Sequence, residues 1–182
     1  EIIAWLNSDD IYTKAALSSV GLFFARQCKV DLLCGGGIYT FESGAVARKY
    51  RAASVDLERI LVRNNIIQPS TFFRRHVWHG VGRLDESLRY CFDLDMWLKS
   101  KKLYSFGSHH QYFSKFRLHE CGKTLSQRLV MAEEGTKVAL EFLTNQLESN
   151  ERRQMIYRFC YLKLAVLSWL MDRDDSEKIK HY

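Results

Sequence analysis

Apolar and polar positions follow two different periods along this chain, and the changes of period mark out its elements. Ile2 to Leu6 is an unbroken apolar run, followed at once by Asn7, Ser8, Asp9 and Asp10. A run that short reads as one buried strand. Thr13 to Gln27 reads as a helix, with Ala16, Leu17, Val20 and Leu22 to Phe24 supplying its apolar face and Asp10 or Thr13 in position to cap it. Val30 to Leu33 and Ile38 to Phe41 read as two strands flanking Gly35-Gly36-Gly37. Three glycines can cradle a phosphate, but no helix start or lysine follows as in a Walker loop, so the reading is a turn. Ser54 to Val62 predicts a helix with Leu57, Ile60 and Leu61 facing inward. Ile66 to Phe73 predicts a strand in which Pro69 implies an edge, a bulge or a site-lining position.

Arg75 to Val81 reads as a short helix ended by Gly82. Phe92 to Lys101 reads as another, with Leu94, Trp97 and Leu98 on its inner face. Tyr104 to Phe106 and Tyr112 to Leu118 alternate aromatics as strands do. From Thr124 the pattern is helical, with Ser126 to Leu147 and Glu151 to Met171 as two amphipathic helices and a polar, frayed end. Strands mixed with helices, then helices alone, imply an α/β half, residues 1–124, and a helical tail, residues 125–182.

Composition narrows the picture. The chain has 182 residues, 47% of them hydrophobic and 13% aromatic, with one proline, which excludes a disordered or low-complexity chain. Net charge is +6, from 27 basic and 21 acidic residues. Such a balance suits the phosphates of a sugar nucleotide, an anionic membrane face or nucleic acid, or is simply a solvated basic surface. The arginines are scattered, with doublets at Arg74-Arg75 and Arg152-Arg153, and they form no stripe, so no nucleic-acid partner is expected. Cys28, Cys34, Cys91, Cys121 and Cys160 share no metal-ligand spacing and read as reduced, mostly buried thiols. The longest apolar stretch, Leu164 to Met171, is too short to span a bilayer.

Three groups of residues offer chemistry. Asp9 and Asp10 stand at the carboxyl end of a strand, where ligands of open α/β sheets bind. Neighbouring side chains of an extended end point to opposite sides, so one acid can hold a metal while the other accepts hydroxyl hydrogen bonds. A helix N-cap is the plainer reading of both. Asp93 and Asp95 lie about 200° apart around a helix and cannot form a paired site. Asp93, at the helix start, is either a cap or a proton acceptor that the helix dipole keeps ionised. Arg117 and His119 project to one face of an extended stretch, which suits a diphosphate and its metal; a surface or satisfied core residue is the plainer reading of a lone histidine. His109-His110 read as loop residues, and Trp5, Trp78, Trp97 and Trp169 as core.

Five blocks occur in order: Trp5-Leu-Asn-Ser-Asp-Asp-Ile-Tyr12, Gln68-Pro-Ser-Thr-Phe-Phe-Arg-Arg75, Gly82-Arg-Leu-Asp-Glu-Ser-Leu88, Phe92-Asp-Leu-Asp-Met-Trp-Leu98 and Phe116-Arg-Leu-His119. Together they resemble the family-two inverting glycosyltransferases of GT-A fold, over roughly two-thirds of the chain. The resemblance implies a partial GT-A, Rossmann-like domain that lacks its first strands. It implies that Asp10 binds the metal bridging a donor diphosphate, with His119 as a second ligand, and that Asp9 contacts the ribose or the sugar. Arg117 would close on the diphosphate. Asp93 would be the general base, although Phe92 stands where the family's Glu-Asp motif often has Glu. Gln68, Ser70 and Thr71 would line the acceptor side. The cofactor implied is Mn²⁺ or Mg²⁺, with imidazole favouring Mn²⁺.

The implied partners are a nucleotide-diphosphate sugar and a sugar or lipid-linked acceptor. The implied setting is polysaccharide or glycolipid synthesis for the cell envelope, in the cytoplasm or at the inner face of the membrane. A non-catalytic sugar-nucleotide-binding or scaffold module is the alternative. The chain by itself is expected to be inactive and marginally stable, with Ile2 to Leu6 as an exposed edge. The helix from Glu151 is expected to pack on the α/β half, with peripheral membrane contact as its other reading.

Overall fold

The computed structural model describes residues 1–118, 127–146, 154–156 and 158–163. His119, Cys121, Thr124 and Trp169, the stretch Leu164 to Met171 and the polar end lie outside them, as does most of the helix expected from Glu151. The chain is a mixed α/β structure in three layers. Its six strands are β1 (Ile2–Ile3), β2 (Ile11–Tyr12), β3 (Leu32–Phe41), β4 (Val46–Tyr50), β5 (Thr71–Arg74) and β6 (Phe106–Leu118). They form one sheet in the order β1-β5-β3-β6-β2, with β4 paired to the far half of β3. Among the described residues only β3 and β6 run parallel, and the other pairings are antiparallel.

Alternation along β3 and β5 splits the core. Leu33 and Phe72 face α1 (Ala16–Arg26), where Ala16, Val20, Phe24 and Phe113 join them. Leu32, Cys34 and Phe73 face the other way. There they meet α2 (Leu57–Arg63), α3 (Arg75–Gly80), α4 (Phe92–Leu103) and α5 (Arg128–Gln146) in the larger cluster, which contains Ile60, Val77, Trp97, Leu98, Leu143 and Phe159. Met155 and Ile156 also pack against this cluster, so the described part of the second tail helix serves the core. Among the described residues no helix is long and apolar enough to cross a membrane.

Several sequence expectations change. The first strand pairs only at Ile2 and Ile3; beyond it Ala4 packs on the α1 side of the sheet and Trp5 meets Trp97 of α4. Helix α1 begins after Ala15, which takes a left-handed φ of 63°, and no side chain caps it; the Thr13 hydroxyl instead donates to the Tyr112 carbonyl at 2.6 Å. Pro69 lies in a 3₁₀ turn, Gln68–Ser70, just before β5, where its missing N–H costs nothing. Val46–Tyr50 is a strand that the alternation did not reveal. Of the expected strand Tyr104 to Phe106 only Phe106 is strand, since Tyr104 caps α4; Phe106 and Tyr112 to Leu118 belong to one long strand, which also takes in His109 and His110. Of the described cysteines, all free, Cys34 and Cys91 are buried and Cys28 and Cys160 are exposed.

The largest correction concerns the glycines. Gly35, Gly36 and Gly37 are neither a turn nor a cradle but the middle of β3. A Cβ on Gly35 would lie 2.1 Å from the Phe113 ring, and one on Gly36 would lie 2.8 Å from both Tyr112 and the Tyr50 carbonyl. Glycine here lets large aromatics of β6 lie flat on the sheet. The β3–β6 ladder also shifts register on both sides of Gly36. Such irregularities re-aim side chains next to functional sites.

Gly35→Ala should therefore cost at least about 2 kcal/mol of stability, the usual scale of overpacking in a filled core. Urea unfolding checks this. Phe113→Leu in the same chain should recover part of the loss.

Candidate active site

Two tryptophans bring the acid-rich turn and helix α4 together. The Trp5 ring stacks on Trp97 of α4, with centroids 5.5 Å apart and planes 11° from parallel, and lies edge-on to Phe73 at 6.0 Å. Gln68 donates to the Trp5 carbonyl at 2.7 Å, fixing the backbone from the other side. The chain then makes a tight turn in which the Asp10 N–H donates to the Asn7 carbonyl at 3.1 Å. Asp9 and Asp10 are thus turn residues and not a strand end. The turn buries Asp10 and leaves Asp9 half-buried.

Asp10 is held by little protein. Asn7 donates to its Oδ2 at 3.2 Å, while Oδ1 is buried with no hydrogen-bond partner. Burial, and then the neighbouring Asp9 charge, push its carboxyl up to about 6, against the pull of the Arg117 backbone N–H, Asn7 and the Arg117 guanidinium. A buried carboxylate with a free oxygen fits a cation ligand. Among the described residues no three His, Cys, Asp or Glu side chains gather around one point. His119, the second ligand that the resemblance implies, is outside those residues.

Asp93 opens α4, one helical turn before Trp97 and on the same face. Its Oδ1 accepts the Leu94 N–H at 2.7 Å, and its Oδ2 faces the Asn64 amide at 3.4 Å. Asn64 ends α2 in a left-handed conformation, φ 40°, which asparagine tolerates. The helix start does not hold the Asp93 carboxyl in its ordinary range, as the dipole argument expected. Burial outweighs the hydrogen bonds from Leu94 and Asn64 and lifts the carboxyl to about 6. Asp95 turns elsewhere, to Lys99 at 2.6 Å.

The two acids share a neighbour that the sequence reading missed. The Tyr39 phenol is pushed up to about 12, first by burial, then by Tyr50, and then by both Asp10 and Asp93. Tyr39 therefore lies where the fields of both acids overlap. The β3–β6 ladder pairs it with Phe116, and the two rings lie 4.9 Å apart. Arg117 follows Phe116, is exposed, and acts on Asp10. No local motif marks Tyr39; only the strand register places it.

The expected acceptor side divides. Gln68 is partly accessible and also meets the Asn7 amide, at 3.4 Å. Ser70 and Thr71 are buried, and their hydroxyls are already bonded, Ser70 to the Gly36 carbonyl and Ser114, Thr71 to the Ile67 carbonyl. They shape the floor and do not present side chains to a ligand.

Glu134 of α5 is a second residue that no motif announces. Its carboxylate accepts the N–H groups of Arg89, Tyr90 and Cys91 at 2.9, 2.7 and 2.7 Å, tying down the chain that leads into α4 and Asp93. Burial raises its carboxyl, but the Arg89, Cys91 and Tyr90 amides together bring it below the ordinary range. Scanned against known protein families, the chain matches none, and no curated protein matches it.

The sign of the pH dependence follows from the acids. A carboxyl raised above its unfolded value favours the folded state below the unfolded value, near 4, and that advantage is lost as pH rises through about 6. Asp10→Asn should therefore be more stable than the natural chain at pH 7.5, by roughly 2 kcal/mol, and little different at pH 4. Thermal denaturation across pH measures this. Mn²⁺ should raise the melting temperature of the natural chain at pH 7.5 and leave that of Asp10→Asn unchanged.

Proposed function

We propose that this chain carries the catalytic side of an inverting, metal-dependent glycosyltransferase of GT-A type. The observation that carries the reading is the Trp5–Trp97 stack, which joins the turn bearing Asp10 to the helix bearing Asp93, two acids each lifted to about 6 by burial. Inverting transfer needs two chemistries within one sugar's reach. A base must take the proton from an acceptor hydroxyl, and positive charge must hold the departing diphosphate. Asp93 suits the first role. A carboxyl at about 6 is ionised at neutral pH yet is a stronger base than an ordinary carboxylate. The Asn64 amide and the Leu94 N–H hold it in one orientation.

Asp10 suits the second role through the cation that its free Oδ1 would hold, with His119 as the further ligand that the resemblance implies. Mn²⁺ or Mg²⁺, when bound, supplies charge neutralisation for the donor diphosphate. Arg117 adds a fixed positive charge beside Asp10. Asp9 is placed next to Asp10 for the ribose or sugar hydroxyls. Gln68, between Trp5 and Asn7, is the residue best placed to meet the acceptor. Synthesis of a polysaccharide or glycolipid, in the cytoplasm at the inner face of the membrane, goes with this reading.

Full-length protein incubated with a panel of sugar nucleotides and Mn²⁺ should turn over one of them. Asp93→Asn should leave donor affinity nearly intact and cut turnover by at least about a hundredfold, the usual range for a lost acid–base group. Donor binding without any turnover, unchanged by Asp93→Asn, would favour a sugar-nucleotide-binding module instead.

A further inference from the structure

The row of residues that crosses the sheet at Tyr39 does not stop there. Ile11 of β2 pairs with Lys115, so one step earlier Asp10 stands beside Phe116. Phe116 pairs with Tyr39, and Tyr39 with Arg48 of β4. The row therefore runs from Asp10 through two aromatic rings to a guanidinium at the open edge. Tyr50, two residues beyond Arg48, shares its face of the sheet. The Tyr39 and Tyr50 rings meet edge to face at 4.8 Å, and the Arg48 guanidinium lies 4.7 Å from the Tyr50 ring centre. Tyr50 is still 38% exposed, and Arg48 is exposed as well.

We propose that Tyr50 and Arg48 form an acceptor subsite for an acidic saccharide, a sugar carrying a carboxylate next to the ring that stacks on Tyr50. This rests on the glycosyltransferase reading and names the class of its acceptor. The apolar C–H face of a pyranose packs on an aromatic ring; Arg48 lies over one face of Tyr50, so the sugar takes the part of the ring still exposed, and the guanidinium above it matches a planar carboxylate bidentately. Stacked on Tyr50, the guanidinium is pre-organised and loses less freedom on binding than a free surface arginine. Charged residues on an edge strand also guard it against pairing with other chains. That role needs no aromatic ring beneath the charge and no continuity with the two acids. Lys49 and Arg51 add positive charge along the same exposed strand end, and the net charge of +6 favours an anionic partner.

The test is isothermal titration of the full-length protein with tetragalacturonate, with its fully methyl-esterified form, and with glucose 1-phosphate. The natural chain should bind the acid at least tenfold more tightly than the ester. Arg48→Gln should bring the two within about twofold, with the Mn²⁺-induced rise in melting temperature retained as the sign of an intact fold and Asp10 site. Tyr50→Ala should weaken both sugars, and Tyr50→Phe should restore them. Equal binding of acid and ester, a preference untouched by Arg48→Gln, a preference for glucose 1-phosphate, or no binding of tetragalacturonate at millimolar concentration would each overturn the proposal. Failure of the glycosyltransferase reading shows separately, as acid-selective binding with no turnover of any sugar nucleotide.

Discussion

The stack of Trp5 on Trp97 is the contact on which the candidate site depends. Asp10 comes five residues after Trp5, at the end of a turn with few anchors of its own. Asp93 comes one helical turn before Trp97. The 5.5 Å stack, with Phe73 closing against both rings, turns two distant stretches of sequence into one wall. Both indole N–H groups are buried there without partners, a cost that the packing of the rings must outweigh. Glu134 supports the same wall from behind, by holding the three amides that lead into α4.

Packing of this kind has an electrostatic consequence. It removes water from two carboxylates and gives each of them very few donors. That burial costs stability at neutral pH, because each carboxyl, lifted to about 6, must ionise away from water. Glu134, which is less buried, accepts three backbone N–H groups and its carboxyl stays below the ordinary range. These three acids differ in how deeply they are buried and in the donors that face them.

Much of the α/β pattern was legible from periodicity, because α1, α2, α4 and α5 each carry an apolar face with helical spacing. The motifs drew attention to Asp10 and Asp93, and the Trp5–Trp97 stack joins the turn and the helix that carry them. What failed was context. Gly35 to Gly37 read as a turn because glycine has no side chain to show a pattern, and only the opposing rings of Phe113 and Tyr112 explain why a strand would use them. Val46–Tyr50 carries Arg and Lys on an exposed edge and so lacks the apolar alternation of a strand. Ser70 and Thr71 looked like ligand contacts because the sequence does not reveal that Gly36, Ser114 and Ile67 already take their hydroxyls. Tyr39, Glu134 and the row to Arg48 depend on register and long-range packing, which no local window contains.

A carboxyl-detected ¹³C NMR titration of aspartate-labelled protein shows whether Asp10 and Asp93 are two desolvated acids of one site. Both resonances should titrate near pH 6, and saturating Mg²⁺ should shift the Asp10 midpoint downward by more than it shifts that of Asp93. Midpoints near 4 for both acids, or titrations indifferent to Mg²⁺, would contradict the account.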